Sequence, residues 1–228
     1  GFKIKCRSQE ILYSKKILLA TGGNPSGKKI ARHHGHQIIN TVPSLFTFKL
    51  EAKWLKGCAG VSVDNIKLRL KTGKKILQQS GRMLITHWGV SGPVVLKLSA
   101  FAARDLYNDK YISELFINWS GYDGNKTKEL LVRYKENYAN KTLKGSYPFR
   151  NIPRRIWICI IESININPEI TWACLSRKNS NLLCEALTNN FHSIIGRGPF
   201  GEEFVTAGGI DLKEMYCKSM ESRICKGL

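Results

Sequence analysis

The chain has 228 residues, of which 43% are hydrophobic and 10% aromatic, so it encodes a folded protein with a sizeable core rather than a disordered segment. Its longest apolar runs, ILLA and IWICII, are too short to cross a bilayer, and its first residues lack the architecture of a signal peptide. The 36 Lys and Arg against 17 Asp and Glu leave a net charge of +19, so a polyanionic partner has to be considered.

The first part of the chain alternates between strand and turn signals. FKIKC predicts a strand, a turn follows around Ser8–Glu10, and further strand is predicted to end buried at Leu18–Ala20. A short helix is predicted over Lys29–His34, where Gly35 ends it. HQIINTV then predicts a return to extended structure.

The central part of the chain has the period-two alternation of antiparallel strands. It runs from SLFTFKL through GVSVDNIKLRL, with a turn signal at Lys71–Lys74. GRMLITHW begins as another strand, and the pattern becomes helical at Ser91. We expect Ser91 to cap a helix that has Pro93 in its first turn and runs to about Leu106. YISELFINWS predicts a further strand.

Residues 126–173 are predicted to be mainly helical, most clearly at Thr127–Tyr138, Pro153–Ile164 and Pro168–Leu175. Another helix is predicted over Asn181–Asn190, followed by the strands FHSIIG and EEFVTAGG. The predicted fold class is therefore α+β. It comprises a barrel-like sheet and a small helical unit, framed by two strands that each end in Gly-Gly.

The two Gly-Gly segments lie near opposite ends of the chain. ILLATGGN contains Gly22 and Gly23, and FVTAGGI contains Gly208 and Gly209. Adjacent glycines after a strand either form a turn that needs positive φ or let the backbone approach a ligand without a Cβ in the way. A plain turn is the commoner explanation for either segment alone, whereas the repetition of the pattern favours a ligand.

Two glycine motifs resemble nucleotide-binding loops but depart from them. GGNPSGKK nearly matches a P-loop, but Lys29 replaces the Ser or Thr that would bind Mg²⁺, and no second metal-binding element is evident. GRGPFG, Gly196–Gly201, has the spacing of a dinucleotide fingerprint, but a strand rather than a helix follows it. We expect a hairpin loop there.

Two further motifs suggest a catalytic site or a metal site. GVSGP differs from a nucleophile elbow because Pro93 replaces the last glycine, so Ser91 is better explained as a helix cap. His87, beside that helix start, either faces an anion or reacting group or is an ordinary histidine. RHHGH lacks the spacing and the carboxylate or cysteine that would complete a metal site.

The cysteines and basic residues are scattered. The seven cysteines include no C-x-x-C pair, which argues against a zinc site or a disulfide scaffold and fits a reducing compartment. The basic residues come as small pairs rather than one basic stripe with interleaved aromatics, which favours a solvated surface over a nucleic-acid interface. A basic nucleic-acid-binding module remains the alternative function, and a P-loop NTPase is a weaker one.

Five ordered segments together resemble a known family: ILLATGGN, GHQIINTVPSLFTFKL, THWGVSGPVVLKLSA, EEFVTAGGI and KSMES. They are similar to the interior of the aminoacetone oxidase-like, bile-acid-reductase-like family of FAD-dependent oxidoreductases, and PSLFTFK with the Trp after Thr86-His87 looks most like its cyanobacterial and plant branch. In that family a Rossmann-like FAD domain is interrupted by an inserted β-barrel-like domain and a small helical domain.

The resemblance implies a domain organisation for this chain. Residues 1–44 and 206–228 would be parts of the FAD domain, residues 45–123 and 177–205 the inserted β-barrel-like domain, and residues 124–176 the helical subdomain. The family's dinucleotide fingerprint and the C-terminal segment that covers the flavin have no counterpart in this sequence. We therefore expect a truncated chain that binds FAD weakly or not at all alone.

The resemblance also implies a function and site residues. The parent protein would transfer hydride between FAD and NAD(P)H or a small organic substrate, in the cytoplasm or a plastid. The chain's partners would be that substrate and the flanking FAD segments, rather than nucleic acid or a membrane. Cofactor-proximal positions would be Thr21, Gly22, Gly23, Thr206, Ala207, Gly208 and Gly209. Substrate-side or structural positions would be His87, Ser91 and Gly92.

Overall fold

The computed structural model describes residues 1–73, 75–198 and 205–228. The chain divides into two compact units, Gly1–Pro43 with Phe204–Leu228 (unit 1) and Ser44–Glu203 (unit 2). The predicted α+β class is confirmed, because unit 2 holds a closed six-stranded barrel together with helices. Within the described ranges, no helix is both long and apolar enough to span a membrane.

The helices and strands of the two units have the following bounds. The helices are α1 (Pro25–His33), α2 (Pro93–Phe101), α3 (Ala103–Asn108), α4 (Gly124–Asn137), α5 (Arg154–Ser163) and α6 (Arg177–Thr188). The strands are β1 (Phe2–Lys5), β2 (Ile11–Ser14), β3 (Ile38–Pro43), β4 (Phe48–Leu50), β5 (Ser62–Thr72), β6 (Lys75–Thr86), β7 (Gly89–Ser91), β8 (Ile112–Asn118), β9 (Asn190–Arg197), β10 (Thr206–Ile210), β11 (Met215–Tyr216) and β12 (Glu221–Ser222). Short 3-10 turns span Lys53–Cys58 and Leu212–Glu214.

In its described residues, unit 1 consists of three two-stranded antiparallel pairs, helix α1 and a short 3-10 turn. β1 pairs with β2, β3 with β10, and β11 with β12. The β3–β10 pair contains a bulge between Ala207 and Gly209. Because β10 carries one Gly-Gly segment and α1 begins just after the other, both segments belong to this unit.

The barrel of unit 2 closes in the order β4-β7-β6-β5-β8-β9, with antiparallel neighbours. The period-two pattern explains it, since alternate residues of β5 such as Ile66, Leu68 and Leu70 are buried while their neighbours face outward. The helical part is packed around buried tryptophans, and their indole N–H groups are satisfied. Trp157 Nε1 donates to Leu143 O at 2.7 Å.

Three local predictions were wrong. Ile17–Ala20 forms no strand, and Leu18 is 86% exposed, because no described strand lies alongside to complete a ladder. Ser91 ends β7, where it pairs with Leu84, so Gly92 rather than Ser91 is the N-cap of α2. Pro168–Leu175 forms turns and one bridge, Thr142 to Thr171, instead of a helix. Within Gly196–Gly201, the residues at 199–201 lie outside the described ranges.

All seven cysteines are unpaired, and Cys58 is the most buried of them. Burial, together with a hydrogen bond to Cys159, raises the pKa of the Cys58 thiol to about 12. The two sulfur atoms lie 3.0 Å apart. Because only the thiolate is strongly nucleophilic, Cys58 is a core residue with little reactivity near neutral pH.

His192 on β9 is a buried neutral base that links pH to stability. The residue is 3% exposed, and burial lowers its pKa to about 4. Its Nε2 lies 2.7 Å from Asn190 Oδ1, which also accepts a hydrogen bond from Trp119 Nε1 at 3.0 Å. Nε2 therefore carries the proton of the neutral ring, and this N–H donates a hydrogen bond to the amide oxygen.

Acidification should destabilise unit 2 through His192. The unfolded chain takes up the proton near its ordinary pKa of 6.5 and the folded chain only near 4, so the free energy of unfolding falls as pH drops through that window. We expect a loss of about 3 kcal/mol between pH 7 and pH 4 from this residue. Urea unfolding of His192→Gln should show that much less pH dependence than the parent chain. The exposed His87→Gln control should keep the full dependence, and equal slopes in both variants would contradict the assignment.

Candidate functional site

A cavity of about 370 Å³ in unit 1 gathers residues from both Gly-Gly segments. Its walls come from the segment before α1, from the first turn of α1, from β3 and from β10. Of the seven positions predicted to approach a cofactor, six line it and Ala207 does not. The six are Thr21, Gly22, Gly23, Thr206, Gly208 and Gly209. Segments about 185 residues apart in the sequence thus share one cavity.

The glycines of this cavity differ in what surrounds the position of the missing Cβ. A Cβ added at Gly22, Gly23 or Gly209 would meet no atom within 4 Å, so these backbones border open space. A Cβ at Gly208 would lie 2.6 Å from the carbonyl oxygen of Asn40, and Gly208 has φ +115°. Packing between β10 and β3 therefore explains Gly208 by itself. The other three leave backbone uncovered beside the cavity, which is how a chain accommodates a flat or bulky ligand.

One side of the cavity is electropositive. Helix α1 begins there, Asn24 Oδ1 caps it by accepting from Ser26 N at 2.9 Å, and its first turn has no acidic residue. Lys28 and Thr41 both line the cavity, and Lys28 Nζ donates to Thr41 Oγ1 at 3.1 Å. The start of a helix and a lysine ammonium both favour an anionic group such as phosphate.

Sequence reasoning missed the packing role of Gly27 and the position of Thr41. A Cβ at Gly27 would lie only 1.9 Å from Thr21 Oγ1, so glycine lets α1 begin directly against the residue that precedes Gly22-Gly23. Gly27 and Lys28 had been noted only as parts of the P-loop-like motif. That motif lacks its usual context, because the residues before it form no strand.

The histidines of RHHGH do not gather around a metal position. Among the described residues, no group of three or more His, Cys, Asp or Glu side chains is arranged to hold a metal ion. The buried His36 instead joins two other parts of unit 1. Its Nδ1 lies 2.9 Å from Glu214 Oε2, and its Nε2 lies 2.8 Å from Ser222 Oγ. These bonds tie the start of β3 to the C-terminal segment.

A second cavity, of about 300 Å³, lies at the β6–β7 turn of unit 2. His87 lines it together with Thr86, whose Oγ1 is buried and has no hydrogen-bond partner among the described residues. Ser91 and Gly92 do not line it. Gly92 has a structural explanation, because a Cβ there would lie 2.9 Å from Leu84 N and its φ is +94°. Of the three substrate-side candidates, only His87 borders this cavity.

Residues 42–205 match the family described as HI0933-like protein barrel and H2TH domain. The chain belongs to this family. It is 26% identical over 241 residues to the 3-dehydro-bile acid delta(4,6)-reductase of Clostridium scindens, with 100% of this chain and 57% of the relative covered. It is also 26% identical to the ribosomal RNA dihydrouridine synthases of Escherichia coli, over 231 residues, and Haemophilus influenzae, over 224 residues. In both, 94% of this chain and 52% of the relative are covered, so the chain spans about half the length of the curated relatives it matches.

Proposed function

We propose that this chain is part of a flavin-dependent reductase and that the unit 1 cavity holds part of FAD. The observation that carries the proposal is the meeting of both Gly-Gly segments around one cavity that also contains Lys28 and the start of α1. The names of the relatives support the reaction class. The names delta(4,6)-reductase and dihydrouridine synthase both indicate the reduction of a carbon–carbon double bond.

The residues present fit the chemical groups of FAD. Uncovered backbone at Gly22, Gly23 and Gly209 leaves space for a flat ring or a sugar, and Lys28 with the N-terminus of α1 suits a pyrophosphate. A cavity of about 370 Å³ is smaller than a whole dinucleotide, so this chain would supply only part of the binding free energy. Weak binding by the chain alone is the consequence.

Bound FAD would supply the hydride chemistry, while the protein binds and orients it. Lys28 would offset phosphate charge, and Thr41 would hold the lysine in place through their hydrogen bond. We further propose that NAD(P)H or a small unsaturated carbonyl compound exchanges hydride with the cofactor, that the protein belongs to the cyanobacterial and plant branch, and that it works in a reducing compartment such as the cytoplasm. No side chain is assigned as acid or base.

Titration of the purified chain with FAD, followed by flavin fluorescence and equilibrium dialysis, tests the proposal. We expect a dissociation constant of about 0.1 to 1 mM. Gly23→Leu should abolish binding without changing the melting temperature, because Gly23 has no positive φ and a side chain there projects into open space. Gly124→Leu, at another open glycine in unit 2, is the matched control and should bind like the parent chain.

The same titration separates ring from phosphate recognition. Lys28→Ala should weaken FAD binding about fivefold to tenfold and leave riboflavin binding unchanged, because riboflavin lacks phosphate. Absence of FAD binding by the parent chain at about 1 mM, or equal binding by Gly23→Leu, would contradict the proposed site.

A further inference from the structure

The outer surface of the barrel carries a row of four side chains across four strands. Gln78 on β6 is opposite Arg69 on β5, Arg69 is opposite Phe116 on β8, and Phe116 is opposite Phe191 on β9. The neighbouring residues along these strands, Leu68, Leu70, Leu115 and Ile117, are buried in the core. Because side chains alternate across a strand, the row faces outward.

The rings and the guanidinium of this row are in contact. Arg69 Cζ lies 4.1 Å from the centroid of the Phe116 ring, and the Phe116 and Phe191 centroids are 5.4 Å apart. Arg69 is also held by a 2.6 Å hydrogen bond from Nη2 to Asn189 Oδ1. Phe191 nevertheless remains 53% exposed. The barrel thus presents a pre-organised aromatic and cationic surface, in which Phe191 is exposed and Arg69 and Phe116 are half-buried.

The adjacent row adds positive charge and hydrogen-bonding groups. Lys67 on β5 is exposed and lies opposite Ser80 on β6 and Asn118 on β8. Lys71, two residues beyond Arg69, is paired with Glu114 at 3.0 Å, whereas Lys67 and Arg69 form no ion pair with a carboxylate among the described residues. The surface belongs to a chain with a net charge of +19, so a polyanion is the complementary partner.

We propose that this face, defined by Lys67, Arg69, Gln78, Phe116 and Phe191, binds single-stranded RNA. Unpaired bases stack on exposed aromatic rings and on arginine, and nearby cations attract the phosphates. The exposed Gln78 and Ser80 offer the donors and acceptors that a ribose 2′-hydroxyl requires, which favours RNA over DNA. The face lies wholly within unit 2 and does not depend on the flavin cavity of unit 1.

Fluorescence anisotropy of a labelled oligouridine of about 12 nucleotides, titrated with the purified chain at several salt concentrations, tests the proposal. A basic protein attracts any polyanion, so binding alone does not test the proposal. The contribution of the aromatic rings to the affinity does. Phe191→Leu should weaken binding about tenfold without changing the salt dependence, because a base stacks on an aromatic ring and not on a leucine side chain. Phe191→Tyr keeps the ring and should bind like the parent chain.

The matched control is Phe101→Leu, which makes the same change at a 63% exposed phenylalanine on α2. It should bind RNA like the parent chain. Lys67→Gln should reduce the slope of log K against log salt by about 0.7, as expected for one lost phosphate contact. Equal weakening by Phe101→Leu and Phe191→Leu, tighter binding of the matching oligodeoxyuridine, or no binding at about 50 mM salt would each overturn the proposal. FAD titration of Phe191→Leu should be unchanged, so failure here is distinguishable from failure of the flavin site.

Discussion

Gly89→Ala is expected to lower the free energy of unfolding of the barrel by about 3 to 5 kcal/mol, enough to prevent folding if unit 2 is marginally stable. Gly89 begins β7, which lies between β4 and β6 and completes the closed barrel. A Cβ there would lie 2.2 Å from the carbonyl oxygen of Phe48 and 2.7 Å from the amide nitrogen of Leu50, with φ at +156°. Both contacts are with backbone of β4, so no side-chain rotation relieves them.

Gly196→Ala is the matched control for Gly89→Ala. Gly196 lies on β9 of the same barrel with φ +152°, but a Cβ there would meet no atom within 4 Å. It should therefore show the backbone strain alone, at about 1 to 2 kcal/mol. Urea unfolding followed by tryptophan fluorescence measures both variants. Equal destabilisation would mean that backbone conformation, and not the approach of β4, explains the glycine at position 89.

The barrel could be predicted because its elements are long and periodic. In β5, apolar residues alternate strictly from Ile66 to Leu70, which fixes the core face of the strand. In α5, the buried residues recur at helical spacing: Ile156, Trp157, Ile160 and Ile161. Short apolar runs are too short to show a period, so they do not indicate which element forms or which face is buried. Leu18 was predicted to be buried in a strand, but burial also requires a neighbouring strand, which the run itself cannot specify. Pro168–Leu175 is too short for its spacing to separate a helix from successive turns.

The candidate site was predictable only in part, for a similar reason. The two Gly-Gly segments are visible in the sequence, and their repetition suggested a shared ligand. The contact between Gly27 and Thr21 arises from how the chain enters α1, and the bond from Lys28 to Thr41 arises from how α1 lies against β3. Neither could be inferred from spacing. The aromatic row of the barrel was even less predictable from the sequence. Arg69, Phe116 and Phe191 are far apart in the chain, so no basic stripe with interleaved aromatics appears in the sequence.

Gly208→Ala is expected to destabilise the β3–β10 pair by about 3 kcal/mol, while Gly209→Ala should cost about 1 kcal/mol. The two glycines are adjacent and have nearly equal φ values of +115° and +118°. Only Gly208 faces backbone, with a Cβ position 2.6 Å from Asn40 O and 3.1 Å from Thr41 Cα. Hydrogen exchange of the amides in Ile38–Pro43 measures the effect in unit 1 independently of the barrel, and similar protection in both variants would contradict it.

A comparison of Gly208→Ala with Gly23→Leu separates a structural role from a ligand-binding role for the second Gly-Gly segment. Gly208→Ala should lose FAD binding together with exchange protection in β3, because the wall of the cavity opens. Gly23→Leu should lose FAD binding with protection intact, because it fills the cavity without disturbing a strand. If Gly208→Ala instead kept its protection and lost FAD alone, Gly208 would itself contact the cofactor, and the close approach of Asn40 would be tolerated by a small shift of β10.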